Sequence, residues 1–462
     1  MEQTTAKKNK YEIDMCNGTI MDKLISFSLP LMLSGILQLM FNAVDIIVVG
    51  RFSGSQALAA VGSTSALINV FTNLFIGISL GANVLTARFY AAGREKEVSE
   101  TVHTAITLAL VSGIVMALVG LVFSRGALAL MGTPDDVIGL SALYMRIYFL
   151  GMPFFMLYNY GAAILRAVGD TKRPLLFLMI AGVINACLNM VLVIVFKLGV
   201  AGVAIATVIS QMISCVLVLR CLCRSESSYR LCFSELGMKG YYLKQIFSVG
   251  VPAGIQSTII NFSNVLLQSS VNSFGSTAMA GYTAANNLLG FLYVSVNSIT
   301  QACMSFTSQN YGVGKLKRMD RVLADCMILS VVVAVVLGCI CYGFGPEILQ
   351  IYTEDAEVIA CGMEILAYTT ITYFLCGWMD LFPGALRGMG YSAVPMVLSV
   401  IGTVGTRVVW IFGIFPYHRS LAILFISYPA SWIITIVLQV ICFYFVRRRV
   451  HRRSQALAGQ EG

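Results

Sequence analysis

The sequence predicts an all-α integral membrane protein with twelve transmembrane helices, arranged as two pseudo-symmetric six-helix bundles. Three observations carry that expectation. Of the 462 residues, 58% are hydrophobic and only 11% charged, with a mean hydropathy of +0.81, whereas a soluble protein carries about 25% charge. Apolar runs recur along the whole chain, and about 20 such residues in a row suffice to cross a bilayer. The second half of the chain also repeats the first at an offset of about 221 residues.

Residues 1–22 form a polar N-terminal tail, with no short apolar core or small-residue cleavage site, so no cleaved signal peptide is expected. The first half, 23–223, has apolar segments at 23–50, 56–87, 99–123, 136–165, 174–197 and 199–220. A polar linker follows at 224–244. The second half, 245–446, has segments at 245–271, 278–311, 322–345, 356–386, 393–416 and 420–446, and a basic tail closes the chain at 447–462. A β-barrel would instead show short segments of alternating hydrophobicity. These segments are therefore read as helices.

Charge gives the orientation, because loops on the cytoplasmic side collect Lys and Arg. With both termini cytoplasmic, the inner segments gather Lys7, Lys8, Lys10 and Lys23, the 88–96 and 166–173 loops, the linker, the 315–321 loop and the tail RRRVHRR. Those stretches hold most of the 31 basic residues, so the net charge of +9 is mainly topology and no nucleic-acid partner is expected. The expected location is the plasma membrane. Thirteen cysteines lie mostly inside apolar runs as small hydrophobes, and imply no disulfide framework. His103, His418 and His451 are too scattered for a metal site.

The repeat is visible in four regions. Pro30 aligns with Pro252 and Asn42 with Asn264, but Asp45 aligns with Leu267. Tyr90 and Gly93 match Tyr311 and Gly314; LRAVGDTKRP at 165–174 matches LRGMGYSAVP at 386–395; DVI at 136–138 matches EVI at 357–359. Six spans per half, an even number, make the halves parallel repeats, with a cavity expected between them.

The first span, KLISFSLPLMLSGILQLMFNAVDIIVVGRF, has a proline near its start and a lone carboxylate near its end. An intramembrane charge costs about 2.5–3.5 kcal/mol on insertion scales, so Asp45 is a candidate functional group. It stands on the order of 7 Å below the outer helix end. The fifth span carries Asn185 and Asn189, whose i, i+4 spacing puts both amides on one face. The sixth carries Thr207, roughly 12 Å down from its start, at a depth similar to Asp45. A carboxylate with amide and hydroxyl oxygens suits a proton or a Na⁺. The plainer alternative makes Asp45 a structural acid paired with Arg51.

The second half has Asp380 in its fourth span and Arg407 in its fifth, which either pair with each other or leave Asp380 free to contact substrate. Gln256, Asn261, Asn264 and Tyr293 are further candidates for a substrate cavity, although many such groups only glue helices together. Pro30 and Pro252 are expected to bend the first helix of each half. No phosphate-binding loop or HExxH element is present, so neither ATP use nor an enzyme is expected.

The stretch PLMLSGILQLMFNAVDIIVVGRF, the ALAAVG that follows, and the repeated LRAVGDTKRP/LRGMGYSAVP segments resemble the multidrug and toxic compound extrusion (MATE) family, across 23–446. The resemblance implies two six-helix bundles in a V, exporting cationic or amphipathic compounds in exchange for H⁺ or Na⁺. It implies Asp45 as the coupling carboxylate, Pro30 as the bending proline, and Asn185, Asn189 and Thr207 as the polar network. No cofactor is implied beyond the ion gradient; membrane lipid and small-molecule substrates are the partners, and a monomer is expected to suffice. Some relatives carry an Asp where this chain has Asn189, and others an acid in the seventh span where Gln256 to Asn264 are all neutral. Those departures leave the choice between H⁺ and Na⁺ open, with a lean towards H⁺. The rival reading is a flippase of the wider superfamily that moves lipid-linked oligosaccharides, which would want a more cationic cavity than Arg146 and Arg407 provide.

Overall fold

The structure is a computed structural model that describes residues 10–458. Lys7 and Lys8 of the polar tail lie outside the described residues, as does the chain beyond Ala458. Among the described residues there is no strand.

Two compact units emerge. Unit one takes in the described residues up to Ile13 and Leu33–Gly254; unit two takes in Asp14–Met32 and the chain from Ile255 onward. Two helices are therefore divided between units: α1 (Met21–Phe52) between Met32 and Leu33, and α8 (Gly240–Asn272) between Gly254 and Ile255. Pro30 and Pro252 stand inside these helices just before each division. A proline gives no N–H to the helix ladder and crowds the carbonyl four residues earlier, so each division lies beside a weakened turn.

Unit one continues with α2 (Gly54–Ala91), α3 (Glu95–Leu130), α4 (Asp135–Leu150), α5 (Met152–Ala167), α6 (Lys172–Asn189) and α7 (Gly199–Cys223). Its core is apolar, with Leu85, Val102, Phe149, Tyr160, Leu165 and Val203 fully or almost fully buried. The start of α8 packs on α2 through facing small residues. A Cβ on Gly77 would come 2.3 Å from Gly254 Cα, and one on Gly81 would come 2.2 Å from the Ile246 carbonyl oxygen. Such small-xxx-small pairs let helix backbones touch where lipid offers no hydrophobic drive.

Unit two holds α9 (Ser276–Gly312), α10 (Leu316–Gly343), the short α11 (Gly345–Gln350), α12 (Ala356–Thr369), α13 (Tyr373–Gly388), α14 (Ala393–Ser399), α15 (Thr406–Val409) and α16 (Leu421–Ala458). The first part of α1 belongs here, with Phe27 edge-on to Phe306 at 5.6 Å.

The sequence repeat is a structural repeat. The fourth span of each half is not one helix but two, α4 with α5 bent by 47° and α12 with α13 bent by 51°. Gly93 and Gly314 end their turns at φ 67° and 70°, and Gly169 and Gly390 at 95° and 90°. These left-handed positions suit a residue without a Cβ. The fifth span of each half widens into π-helical turns, at Met190–Val195 and at Val400–Gly405 and Trp410–Ile414.

Among the described residues, eight helices are long and apolar enough to cross a membrane, or ten if each bent pair counts once. Helices α8 and α9 have the length but not the same apolarity. Their many amides and hydroxyls lower it, which is why twelve expected spans yield fewer by composition alone.

Candidate functional site

In unit one the site is assembled by α1, α6 and α7. Gly182 sits where α6 meets α1, and a Cβ there would lie 1.8 Å from the Phe41 ring. One turn after Phe41 comes Asp45, and one turn after Gly182 come Asn185 and then Asn189. The close approach at Gly182 therefore brings the carboxylate to the amides.

Asp45 is 9% exposed and Asn189 wholly buried. The Asn189 amide donates to Asp45 Oδ1, and also to Asn185 Oδ1 at 3.1 Å. Asn185 in turn donates to Ser210 Oγ on α7 at 3.4 Å, and Ser210 Oγ donates to the Thr207 carbonyl at 2.8 Å. The Thr207 side chain faces the Asp45 carboxylate while its hydroxyl bonds the Val203 carbonyl at 2.9 Å. Asn189 Oδ1 is buried and has no hydrogen-bond partner. Asp45, Asn185, Asn189 and Thr207 are thus brought together. Arg51 is exposed and forms no ion pair with Asp45 among the described residues.

Three members of this site are absent from the sequence reading. Ser210 continues the hydrogen-bond chain from Asn185. Tyr144 and Tyr148 on α4, stacked with ring centres 6.2 Å apart, also face Asp45. Their i, i+4 spacing was a readable signal, but one shared with ordinary packed aromatics. Asn189 is the last residue before the π-helical turn, a feature often found at functional sites.

The candidates of the second half fall into two groups within unit two. In the first, Gln256 is buried and accepts from Arg387 at 2.7 Å, and Asp380 on α13 lies near Arg387. Tyr293, 46% exposed, lies close to the same two charges and to Asn297. Gln301 donates to Asn297 at 3.0 Å. In the second, Arg407 on α15 donates to Ser263 Oγ at 2.9 Å and to Asn264 Oδ1 at 2.8 Å, and lies 4.7 Å from the centre of the Tyr428 ring. Asn261 is exposed and joins neither group. Of the two alternatives for Asp380, the ion pair with Arg407 is not formed among the described residues. Asp380 keeps company with Arg387 two helical turns on, and polar and aromatic groups hold Arg407.

No cluster of His, Cys, Asp and Glu able to hold a metal ion occurs among the described residues. All thirteen cysteines are free.

The MatE family pattern matches residues 30–191 and again 252–412, so both repeats carry it. The chain is 32% identical to "Probable multidrug resistance protein YoeA" of Bacillus subtilis (strain 168) over 434 residues, covering 92% of this chain and 93% of that one. It is 22% identical to "Multidrug export protein MepA" of Staphylococcus aureus (strain NCTC 8325 / PS 47), covering 82% of this chain and 84% of the relative. Among solved structures, the outward-facing conformation of a multidrug resistance MATE family transporter superposes with a TM-score of 0.87 at 19% identity, covering 97% of this chain and all of that one.

Proposed function

Because the chain belongs to the MatE family of multi-pass membrane transporters, we propose that it is a cation-coupled antiporter exporting cationic or amphipathic drugs by alternating access. Asp45 is its coupling carboxylate. The observation that carries this reading is a buried carboxylate held by an intramembrane amide whose own oxygen, Asn189 Oδ1, is left without a partner. A buried polar atom without a partner is costly, so a site of this kind has a use for it.

Either coupling ion meets chemistry it can use here. A proton on Asp45 turns an acceptor oxygen into a donor, and a side-chain amide oxygen is a ready acceptor for it. A Na⁺ is held by oxygens, of which Asp45, Asn189 and Thr207 offer a carboxylate, an amide and a hydroxyl. With Asp45 loaded, its charge is neutralised and a cationic substrate is no longer attracted. Ion and drug therefore compete, and exchange follows. Pro30, beside the division of α1 between the two units, is the bending point of the helix that carries Asp45.

In unit two, Asp380, Gln256 and the half-exposed Tyr293 are the proposed substrate contacts, offering a carboxylate and an aromatic face to a cation. The termini are cytoplasmic, the protein acts in the plasma membrane as a monomer, and no cofactor beyond the gradient is used.

The test is uptake of a fluorescent cationic dye into everted vesicles under an imposed H⁺ gradient and, separately, an imposed Na⁺ gradient. Wild type should concentrate dye under one gradient, which names the ion. Asp45→Asn at equal expression should not. Equal pumping by the variant would remove Asp45 from the coupling role.

A further inference from the structure

Unit two contains a second buried charge that the exchange cycle does not use. Arg407 is only 3% exposed, and its guanidinium is protonated at any physiological pH. Among the described residues no carboxylate lies within ion-pair distance of it. Its partners are neutral: Ser263 Oγ, Asn264 Oδ1 and the Tyr428 ring. The groups further around it, Tyr282, Tyr373 and Cys376, are also neutral in their ordinary state. Arg407 Nε, itself buried, has no hydrogen-bond partner.

A buried cation with no counter-charge pays the full desolvation penalty, and a free donor beside it adds to that. An anion relieves both. Further donors stand around the guanidinium. The Tyr282 and Tyr428 hydroxyls share one hydrogen bond at 2.9 Å, which leaves one of their two hydrogens over. Asn264 uses only its oxygen on Arg407, so its amide N–H groups face no demand from the guanidinium.

We propose that Arg407, with Asn264 and the Tyr282–Tyr428 pair, forms a monovalent-anion site in unit two. A halide is one source of this chemistry; a substrate carboxylate is the other. The site is separate from Asp45 and compensates a buried charge that no carboxylate among the described residues offsets.

The test follows thermal unfolding of the purified full-length transporter in detergent by tryptophan fluorescence. Chloride replaces isethionate, a bulky sulfonate, at constant ionic strength. Wild type should show a saturable rise in Tm, reproduced by bromide. Asn264→Asp places a fixed carboxylate beside the guanidinium. It should unfold near the temperature of chloride-saturated wild type and need at least about tenfold more chloride for any further shift, equivalent to about 1.4 kcal/mol. Arg407→Gln should lose the response. Acetate acting where chloride does not, and failing in Asn264→Asp, would keep the site and assign it to a carboxylate. Absence of any anion response in wild type overturns the proposal, and so does a wild-type response in Asn264→Asp. If Arg407→Gln fails to fold, the comparison of wild type with Asn264→Asp decides alone.

Discussion

The two halves of this molecule carry buried charges of opposite sign, in the same region of the repeat but not at aligned positions. In unit one the end of α1 and the π-widened α6 hold a carboxylate among amides and hydroxyls: Asp45, Asn185, Asn189, Thr207. At the corresponding positions of the second repeat stand Leu267, Thr406, Trp410 and Tyr428, and Arg407 takes the charge. Both charges are buried, and both adjoin π-helical turns. The backbone devices of the repeat have been kept: the bends near 47° and 51°, the paired glycines and the prolines ahead of each division. The polar side chains have not. The repeat supplies a frame with a weak point for a buried charge, and each half has filled it with the opposite sign.

The comparison is broken most completely by Asp45→Asn. Dye accumulation driven by the effective gradient should fall to the level of empty vesicles, with equal protein in the membrane. The reciprocal change, Leu267→Asp, places an acid at the position of unit two that aligns with Asp45. Leu267 is 1% exposed, so the cost should be about 2.5–3.5 kcal/mol, read as a lowered Tm and reduced yield. If Leu267→Asp folds as well as wild type, a counter-charge reaches that position and the two halves are less different than described. A milder contrast comes from the prolines. Pro30→Ala should slow dye export more than Pro252→Ala at equal expression, because of these two helices α1 alone carries an acid proposed to couple; equal slowing would assign the bend to both halves alike.

The smallest effect lies far from either charge. The Tyr90 hydroxyl donates to Glu12 at 2.8 Å, as does that of Tyr229 at 2.7 Å, and together they hold the N-terminal segment on unit one. Tyr90→Phe should cost about 0.5–1.5 kcal/mol, seen as a small drop in Tm with gradient-driven export unchanged. A loss of coupling in that variant would tie the segment to transport.

How much of this was legible follows from the scale of each feature. Helical spans and the duplication are written in tens of residues and read directly. The meeting of Asp45 with Asn189 was legible because helix length fixes depth, and the i, i+4 spacing of Asn185 and Asn189 fixes a face. The Asp380–Arg407 pairing illustrates the limit. Depth allowed it, but the break near residues 370–372 and the π-helical turns around Arg407 rotate side chains by amounts that no periodicity reveals. Arg387, two turns from Asp380 on the same helix, was the local candidate. Tyr144 and Tyr148 were missed for a different reason: an aromatic beside a carboxylate and an aromatic in a core have the same sequence pattern. The bend in each fourth span was likewise hidden, since its residues are as apolar as those of a straight helix.

The division of α1 and α8 bears on how such a chain can be made. Asp14–Met32, which precedes the other spans of the first half, is structural material of unit two, and the start of α8, which follows the linker, is structural material of unit one, seated on α2 at Gly77 and Gly81. Neither half is therefore a self-sufficient polypeptide. A ribosome that has finished the first six spans has produced a unit still lacking one of its packing surfaces, while holding a segment that belongs elsewhere. Completion of either bundle waits on synthesis of the other, so an ancestral single-repeat protein with this arrangement would have had to work as a dimer exchanging its first helix.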